Sequence, residues 1–350
     1  MNLDERAIAR HDTENMLKLL VEFPNQCREA YRIGLDVGLP INYRYAHNIV
    51  ISGMGGSAIG GDLIRCALSR YATVPIIVNR HYSIPEFVND KTLFIGSSFS
   101  GNTEESIEAF RNAVEAGAMC MAITSNGELE RIAEDYHLPV IKIPSGMPPR
   151  CALGYTFIPV LTAICRLGFA PNFNLKDELE ETVSILEDMS KELSPRNPGN
   201  LSAQIAEKIH DKIPVFYTSQ DFEVVYVRWK GQMSENGKSL AYGNCFPEMN
   251  HNEIEGWKHP AELLGKIHVI LLRDRSDHER VQKRMDITKE LIGSYPDGIT
   301  EIYSRGEGIL ARMLSLIYIG DFVSFYLALL NEENPTPVER IGVLKSRLAE

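Results

Sequence analysis

The sequence lacks several features on which large protein classes depend. It carries 36 Lys and Arg against 47 Asp and Glu, a formal net charge of -11, so it has no basic surplus to neutralise a nucleic-acid backbone. Its six cysteines are scattered, with no Cys-x-x-Cys spacing and no neighbouring histidines of the kind that form zinc sites. We therefore expect no nucleic-acid partner, no bound metal, and reduced thiols with structural roles.

A signal for export is also missing. The first residues carry acids in a helical pattern instead of a basic segment followed by an apolar one, so we expect a cytoplasmic protein. The most apolar run, residues 308–330, is interrupted by Arg312 and Asp321. Because a charge at the centre of a bilayer costs about 2.5–3.5 kcal/mol, we predict that this run is a buried helix of a globular protein, with no membrane partner.

What the chain does contain is a regular alternation of strand-like and helical patterns in both halves. The short apolar runs are residues 48–53, 75–79, 92–96, 120–124, 139–143, 213–218, 241–246, 267–272 and 299–302. The helical patterns between and after them include residues 57–69, 103–116, 129–136, 223–240, 277–292 and 308–330. Such alternation is typical of a parallel sheet covered on both faces. The sequence thus predicts an α/β fold with two doubly wound parallel sheets and flanking helices at both termini.

Residues 194–200 (SPRNPGN) mark the best domain boundary, because two prolines stand there among polar neighbours. We expect four parts: a helical arm over 1–47, a first domain over 48–193, a second domain over 201–333, and a C-terminal helix over 334–350.

Two loops rich in glycine and hydroxyl groups each follow a strand-like run and open a helix. They are residues 53–61 (GMGGSAIGG) and residues 97–106 (SSFSGNTEES). A helix start exposes unpaired N–H groups and the positive end of a dipole, and loops at the carboxyl ends of parallel strands share one edge of the sheet. A helix cap uses one hydroxyl group, whereas this loop offers three, on Ser98, Ser100 and Thr103. The loops predict a site for a phosphate monoester.

A nucleotide site fits the first loop less well. The loop has the glycine spacing of a dinucleotide fingerprint, but Asn79 and Arg80 end the next strand, where an acid would hold the ribose. Neither loop contains the lysine of a nucleotide-binding P-loop. We therefore favour a small phosphate ester over a nucleotide.

The second half carries a candidate acid–base pair. Glu235 lies late in a predicted helix, within SENGK, and His251 follows sixteen positions later, within NHNE. A carboxylate and an imidazole could divide two proton transfers, and a cation such as Arg150 could stabilise an enediolate formed between them. Glu253 and Glu255 are rival bases a few residues away.

Taken together, these segments resemble the bifunctional phosphoglucose/phosphomannose isomerases of archaea and bacteria, which are built from two sugar isomerase (SIS) domains. The similarity runs nearly end to end. The shared motifs are residues 53–62, 78–80, 98–105, 149–150, 234–238 and 250–253, and the pair Leu344 and Lys345. Two positions depart mildly from the family pattern: Phe99 stands where a tyrosine is common, and Gly237 follows the Glu-Asn pair, where it could break the helix.

The resemblance implies an isomerase that needs no cofactor and interconverts glucose 6-phosphate, and also mannose 6-phosphate, with fructose 6-phosphate through a cis-enediol(ate). It further implies which residues bind this phosphosugar. The residues that line the sugar site would be Gly55, Gly56 and Ser57. The residues that bind the phosphate would be Ser98, Ser100 and Thr103.

The resemblance also implies catalytic roles. Glu235 would be the base that moves the proton between C1 and C2, and His251 would open the sugar ring. Arg150 would stabilise the enediolate, and Lys345 would assist at the ring oxygen. In this superfamily the ring-opening histidine comes from across a dimer interface, so a homodimer with composite sites is expected.

Two other functions stay open at this point. A non-catalytic SIS protein that senses a sugar phosphate would need the same phosphate loops, although the acidic, short arm over 1–47 does not resemble a DNA-binding domain. An isomerase of another phosphosugar, such as an amino sugar or a heptose, would also share these motifs.

Overall fold

A computed structural model describes residue 3 and residues 5–348 of the chain. The strands are β1 (Asn48–Gly53), β2 (Ile76–Asn79), β3 (Thr92–Ser97), β4 (Met119–Thr124), β5 (Val140–Lys142), β6 (Ile213–Ser219), β7 (Tyr242–Phe246), β8 (Ile267–Arg273) and β9 (Gly298–Tyr303). The helices are α1 (Glu5–His11), α2 (Met16–Val21), α3 (Phe23–Asp36), α4 (Gly55–Ala67), α5 (Glu104–Glu115), α6 (Glu128–Asp135), α7 (Leu153–Arg166), α8 (Leu175–Glu192), α9 (Leu201–Ile209), α10 (Glu223–Glu235), α11 (Ala261–Leu264), α12 (Glu279–Ile292), α13 (Ile309–Leu330) and α14 (Glu339–Leu348).

All nine strands of the described residues form where short apolar runs occur in the sequence, and each observed end lies within one residue of the predicted end. The reason is that strands of a parallel sheet are buried on both faces and therefore read as continuous apolar runs. In β3 every residue is buried. The expected α/β class, with helices flanking the sheets at both termini, is confirmed.

The described chain divides into two compact units. The first unit contains residues 22–184 and 308–311, and the second unit contains residues 185–307 together with the described residues before 22 and after 311. Each unit thus combines segments that are distant in the sequence. The limits predicted for the arm, the two domains and the C-terminal helix stay a prediction, and residues 1, 2, 4, 349 and 350 lie outside the described part of the chain.

Each unit is built on one parallel sheet. The first unit has the strand order β2-β1-β3-β4-β5, and the second has β7-β6-β8-β9. Counted from the first strand of each sheet, both orders begin 2-1-3-4. On one face of the first sheet Phe94 packs near Phe110, with ring centroids 6.4 Å apart. In the second unit Tyr217 and Phe246 lie in the core with centroids 6.1 Å apart.

Helix α13 is long and apolar enough to cross a membrane by length and composition, yet its most apolar stretch is entirely buried within the protein. Its acidic residue Asp321 accepts two hydrogen bonds from the Arg228 guanidinium, each 3.0 Å long. Both side chains are less than a tenth exposed. The charge that argued against a membrane span is therefore neutralised inside the protein, and the prediction of a buried helix is confirmed.

Candidate active site

The two loops of interest lie side by side at the carboxyl edge of the first sheet. Gly53, the last residue of β1, pairs in register with Ser97, the last residue of β3. In a sheet whose order begins 2-1-3, the connections from these two strands leave in opposite directions, and ligands bind in the crevice that results. The structure therefore places both loops where an α/β protein binds its ligand.

The backbone of the first loop lies close to the backbone of neighbouring segments, because its glycines have no side chains. A Cβ on Gly53 would lie 2.9 Å from the carbonyl oxygen of Ser97, and one on Gly56 would lie 3.2 Å from that of Pro149. Gly55 opens α4 with a φ of +51°, in the left-handed region. Ser57 is buried in the first turn of the helix. At the start of α4, therefore, Gly55 is exposed and open to a ligand.

In the second loop two of the three predicted hydroxyl groups are hydrogen-bonded to each other. The Ser98 and Thr103 oxygens lie 2.8 Å apart. Thr103 stands at the N-cap of α5 but makes no side-chain capping hydrogen bond, so capping does not account for its hydroxyl. Ser100 is exposed and accepts a hydrogen bond of 3.3 Å from the backbone N–H of Asn102.

One hydroxyl at this edge escaped the sequence reasoning. Ser97 is 1% exposed, and its side-chain oxygen has no hydrogen-bond partner. Because a buried polar group without a partner costs free energy, such a group calls for an explanation. Its position at the last residue of an apolar strand, directly before the three predicted hydroxyls, was the signal that could have identified it.

Arg150 lies against the glycine loop in the same unit. It belongs to a single 3-10 turn, Pro149–Cys151, and is 4% exposed. Its Cα would be 3.7 Å from a Cβ on Gly56. The Gln26 side chain holds the turn, because it donates a 2.9 Å hydrogen bond to the Cys151 carbonyl. The first unit thus holds the backbone of Arg150 against the glycine loop.

In the second unit α10 ends at Glu235, five residues before its predicted end. The reason is that Asn236 turns inward and donates a 2.9 Å hydrogen bond to Ser324, while Lys238 adopts a φ of +55°. A helix cannot continue through a residue with positive φ. The local break that Gly237 suggested therefore occurs directly after the candidate base.

Glu235 lies in the wall of a cavity of about 450 Å³. One side of this cavity is the end of α10 and the other is the segment that leads into α14. The lining residues are Ser234, Glu235, Lys238, Glu333, Asn334, Pro337, Val338, Glu339, Arg340 and Ile341. They do not include His251 or Lys345.

His251 and Lys345 are both exposed, on separate elements of the second unit. His251 ends a short 3-10 helix, Glu248–His251, that follows β7. The side chains on both sides of it are anchored: Asn250 donates a 2.8 Å hydrogen bond to Thr288, and Asn252 donates one of 2.8 Å to Glu248. The imidazole is therefore presented outward from a fixed loop. Lys345 lies on α14, all of whose described residues are exposed.

Glu253, a rival base in the sequence, is engaged by other side chains. Its carboxylate accepts hydrogen bonds from the Tyr217 hydroxyl and, at 2.7 Å, from the Asn244 amide. The Trp257 indole donates to the same Tyr217 oxygen at 3.1 Å. Burial, and then the neighbouring Glu253 charge, raise the pKa of Tyr217, so its hydroxyl keeps its proton and donates. Glu253 therefore anchors the loop that carries His251.

The six cysteines are free thiols, and five of them are buried. Burial raises the pKa of Cys27 and that of Cys120 to about 12, which keeps them protonated and unreactive. The described residues contain no group of three or more His, Cys, Asp or Glu side chains arranged to hold a metal ion.

Comparison with known proteins agrees with this geometry. Residues 199–348 match the family described as the bacterial phospho-glucose isomerase C-terminal SIS domain. The chain is 45% identical to the bifunctional phosphoglucose/phosphomannose isomerase of Caldicellulosiruptor bescii, over 96% of this chain and 99% of that protein. It is 36% identical to the protein of the same name from Thermoplasma acidophilum, over 86% and 90% of the two chains.

The same fold occurs in a solved structure of a hypothetical protein from Thermus thermophilus, with a TM-score of 0.73 at 16% identity, covering 99% of this chain and 93% of that one. Two parallel sheets, one with hydroxyl and glycine loops at its crevice, define a protein of the SIS class. The chain belongs to the bifunctional phosphoglucose/phosphomannose isomerase family. The resemblance found in the motifs is therefore confirmed.

Proposed function

We propose that the protein is an isomerase that interconverts glucose 6-phosphate and mannose 6-phosphate with fructose 6-phosphate through a cis-enediol(ate). Its family membership across nearly the whole chain carries this proposal. The crevice between β1 and β3, with its two loops and a buried arginine nearby, supports it. On the same basis we propose a cytoplasmic enzyme of carbohydrate metabolism that acts in glycolysis or gluconeogenesis.

The phosphate of the substrate would bind the second loop. Ser98, Ser100 and Thr103 offer three hydroxyls, and the first N–H groups of α5 add donors and the positive end of the helix dipole. Ser98 and Thr103 already share a hydrogen bond of 2.8 Å, so both oxygens are close enough to bind one phosphate. The sugar would then lie toward Gly55, Gly56 and Ser57.

The chemistry would consist of proton transfers near a fixed positive charge. Glu235 would take the proton from the carbon beside the carbonyl and return it to the neighbouring carbon, without any cofactor. Arg150 stays charged at any physiological pH, and its burial strengthens its attraction for an enediolate oxygen. His251 would move the proton that opens the ring, and Lys345 would assist at the ring oxygen.

We further propose that two copies of the chain associate and that His251 of one copy completes the site of the other. The outward presentation of the imidazole from an anchored loop supports this arrangement. In a symmetric dimer the His251 loop of each copy would complete the site of the other copy.

The function is tested by incubating the purified protein with fructose 6-phosphate, in the presence of EDTA, and measuring glucose 6-phosphate and mannose 6-phosphate side by side. We expect both products. Glu235→Gln should lower kcat by roughly 10²–10⁴ and leave KM within a few-fold. Full activity of Glu235→Gln would show that Glu235 is not the base. Binding of fructose 6-phosphate without exchange of its C2 proton would instead identify a sugar-phosphate sensor, and turnover of only an amino sugar or heptose phosphate would identify another phosphosugar isomerase.

The composite site is tested by mixing two inactive variants, Glu235→Gln and His251→Ala, under conditions that let subunits exchange. Heterodimers then contain one intact site if the two groups come from different chains, so roughly a quarter of the parent activity should return. If both groups come from one chain, no activity returns.

A further inference from the structure

The wall of the Glu235 cavity contains a lysine to which the proposed mechanism gives no role. The Lys238 ammonium donates hydrogen bonds to three backbone carbonyl oxygens. They belong to Glu235 at 2.5 Å, Pro337 at 2.6 Å and Pro335 at 3.4 Å. Because an ammonium has three N–H donors, a single side chain can make all three bonds at once.

One of these bonds acts at the end of the helix that carries the proposed base. The last carbonyl groups of a helix have no partner within it, and a lysine near the C-terminus stabilises them by hydrogen bonding and by its charge. Lys238 reaches the Glu235 carbonyl from three residues further on, after a turn in which its own φ is +55°. The backbone of the proposed base is thus held by a cation.

The other two bonds act on the opposite side of the cavity, in the segment between α13 and α14. Pro335 and Pro337 fix φ and stiffen this segment, and Thr336 between them donates a 3.0 Å hydrogen bond from its N–H to Asn334. The segment lines the cavity and leads directly into α14, which carries Lys345. Lys238 therefore connects the helix of the base to the stretch of chain that faces it.

We propose that Lys238 is a positioning residue, which sets the distance between Glu235 and the 335–337 segment by binding carbonyl groups of both. It acts through the backbone, so its loss displaces the base and leaves the phosphate loop unchanged. The inference rests on the proposed function of Glu235. It predicts an effect on kcat and almost none on KM.

The first test compares Lys238→Met, which keeps the length of the side chain and removes its donors, with Lys230→Met on the exposed face of the same helix. We expect Lys238→Met to lower kcat for fructose 6-phosphate roughly 10- to 100-fold, since small misplacements of catalytic groups cost this much, with KM within threefold. Lys230→Met should behave as the parent, and Lys238→Arg should recover most of kcat because it restores donors. An unchanged kcat in Lys238→Met overturns the inference.

The second test separates positioning from a general loss of stability. In the Glu235→Gln background, Lys238→Met should change kcat less than twofold, because the group it positions is gone. Equal losses in both backgrounds overturn the inference. Should Lys238→Met not fold, Lys238→Ala, which also removes the donors, replaces it in both comparisons.

Hydrogen exchange makes the two proposals distinguishable. Amides of residues 338–346 should exchange faster in Lys238→Met than in Lys230→Met, whether or not the protein has isomerase activity. If the parent shows no isomerase activity, the proposed function fails, and faster exchange still supports the link made by Lys238. Unchanged exchange removes that link even in an active enzyme.

Discussion

The Asn244 amide donates a 2.7 Å hydrogen bond to one carboxylate oxygen of Glu253. The carbonyl oxygen of the same amide accepts a 2.8 Å bond from the backbone N–H of Cys245, which fixes its orientation. With Tyr217 as donor to the other oxygen, both carboxylate oxygens of Glu253 accept hydrogen bonds from side chains of the same unit. A catalytic base must instead have an oxygen that can approach the substrate.

We therefore expect Glu253→Gln to be a stability variant with modest kinetic effects. Its NH₂ group would face donors, and losing a charged acceptor costs about 1–3 kcal/mol. kcat should fall less than tenfold, far less than in Glu235→Gln. Urea unfolding and steady-state kinetics on both variants measure this difference, and a larger kinetic loss in Glu253→Gln would make Glu253 the base.

A second prediction concerns the proposed phosphate loop, residues 97–106, where Gly101 has a φ of +69° and a Cβ would lie 1.6 Å from the Asn126 carbonyl oxygen. Gly101→Ala must displace backbone, so we expect KM for fructose 6-phosphate to rise at least roughly tenfold. Gly117→Ala is the matched control, because Gly117 has a φ of +75° and nothing within 4 Å of its Cβ position. Equal KM values in the two variants would contradict a role of the loop in binding.

A third prediction concerns the buried pair of Arg228 and Asp321. Asp321→Asn leaves a buried guanidinium without its counter-charge, which costs about 3–5 kcal/mol. Asp188→Asn, in an exposed pair with Lys191, should cost less than about 1 kcal/mol. Chemical denaturation of both variants measures the contrast. Similar free energies of unfolding would show that the buried pair contributes no more than a surface pair.

A fourth prediction concerns pH. Burial raises the pKa of Asp277 from 3.8 to about 6. Between pH 3.8 and about pH 6 the native state keeps a proton that the unfolded chain has lost, so the free energy of unfolding falls as pH rises through this range. Above about pH 6 the decrease is complete. The shift corresponds to about 3 kcal/mol.

Asp277→Asn stays neutral and can still accept the 3.3 Å hydrogen bond from the Asp274 N–H. It should therefore match the parent near pH 4 and exceed it above pH 6, in urea titrations at several pH values. Two parallel curves of stability against pH would show that Asp277 titrates alike in both states.

The strands could be predicted from the sequence because a strand that is buried on both faces consists largely of consecutive apolar residues, as β3 does. The two loops rich in glycine and hydroxyl groups could be placed because they follow such runs directly. The end of α10 could not be placed, because it depends on the long-range bond of Asn236 to Ser324. In the same way, the contacts of Glu253 and Lys238 could not be predicted, because their partners lie far away in the sequence or on another element.

The two sheets share the strand order 2-1-3-4. The ends of their third strands differ in charge. Where the first sheet ends in hydroxyl groups, β8 is followed by buried Asp274, which pairs with Arg312 and Ser304. Because Asp274 and its partners take the place that the hydroxyl-rich loop has in the first unit, we expect each polypeptide to bind one phosphosugar molecule, although its architecture offers two crevices.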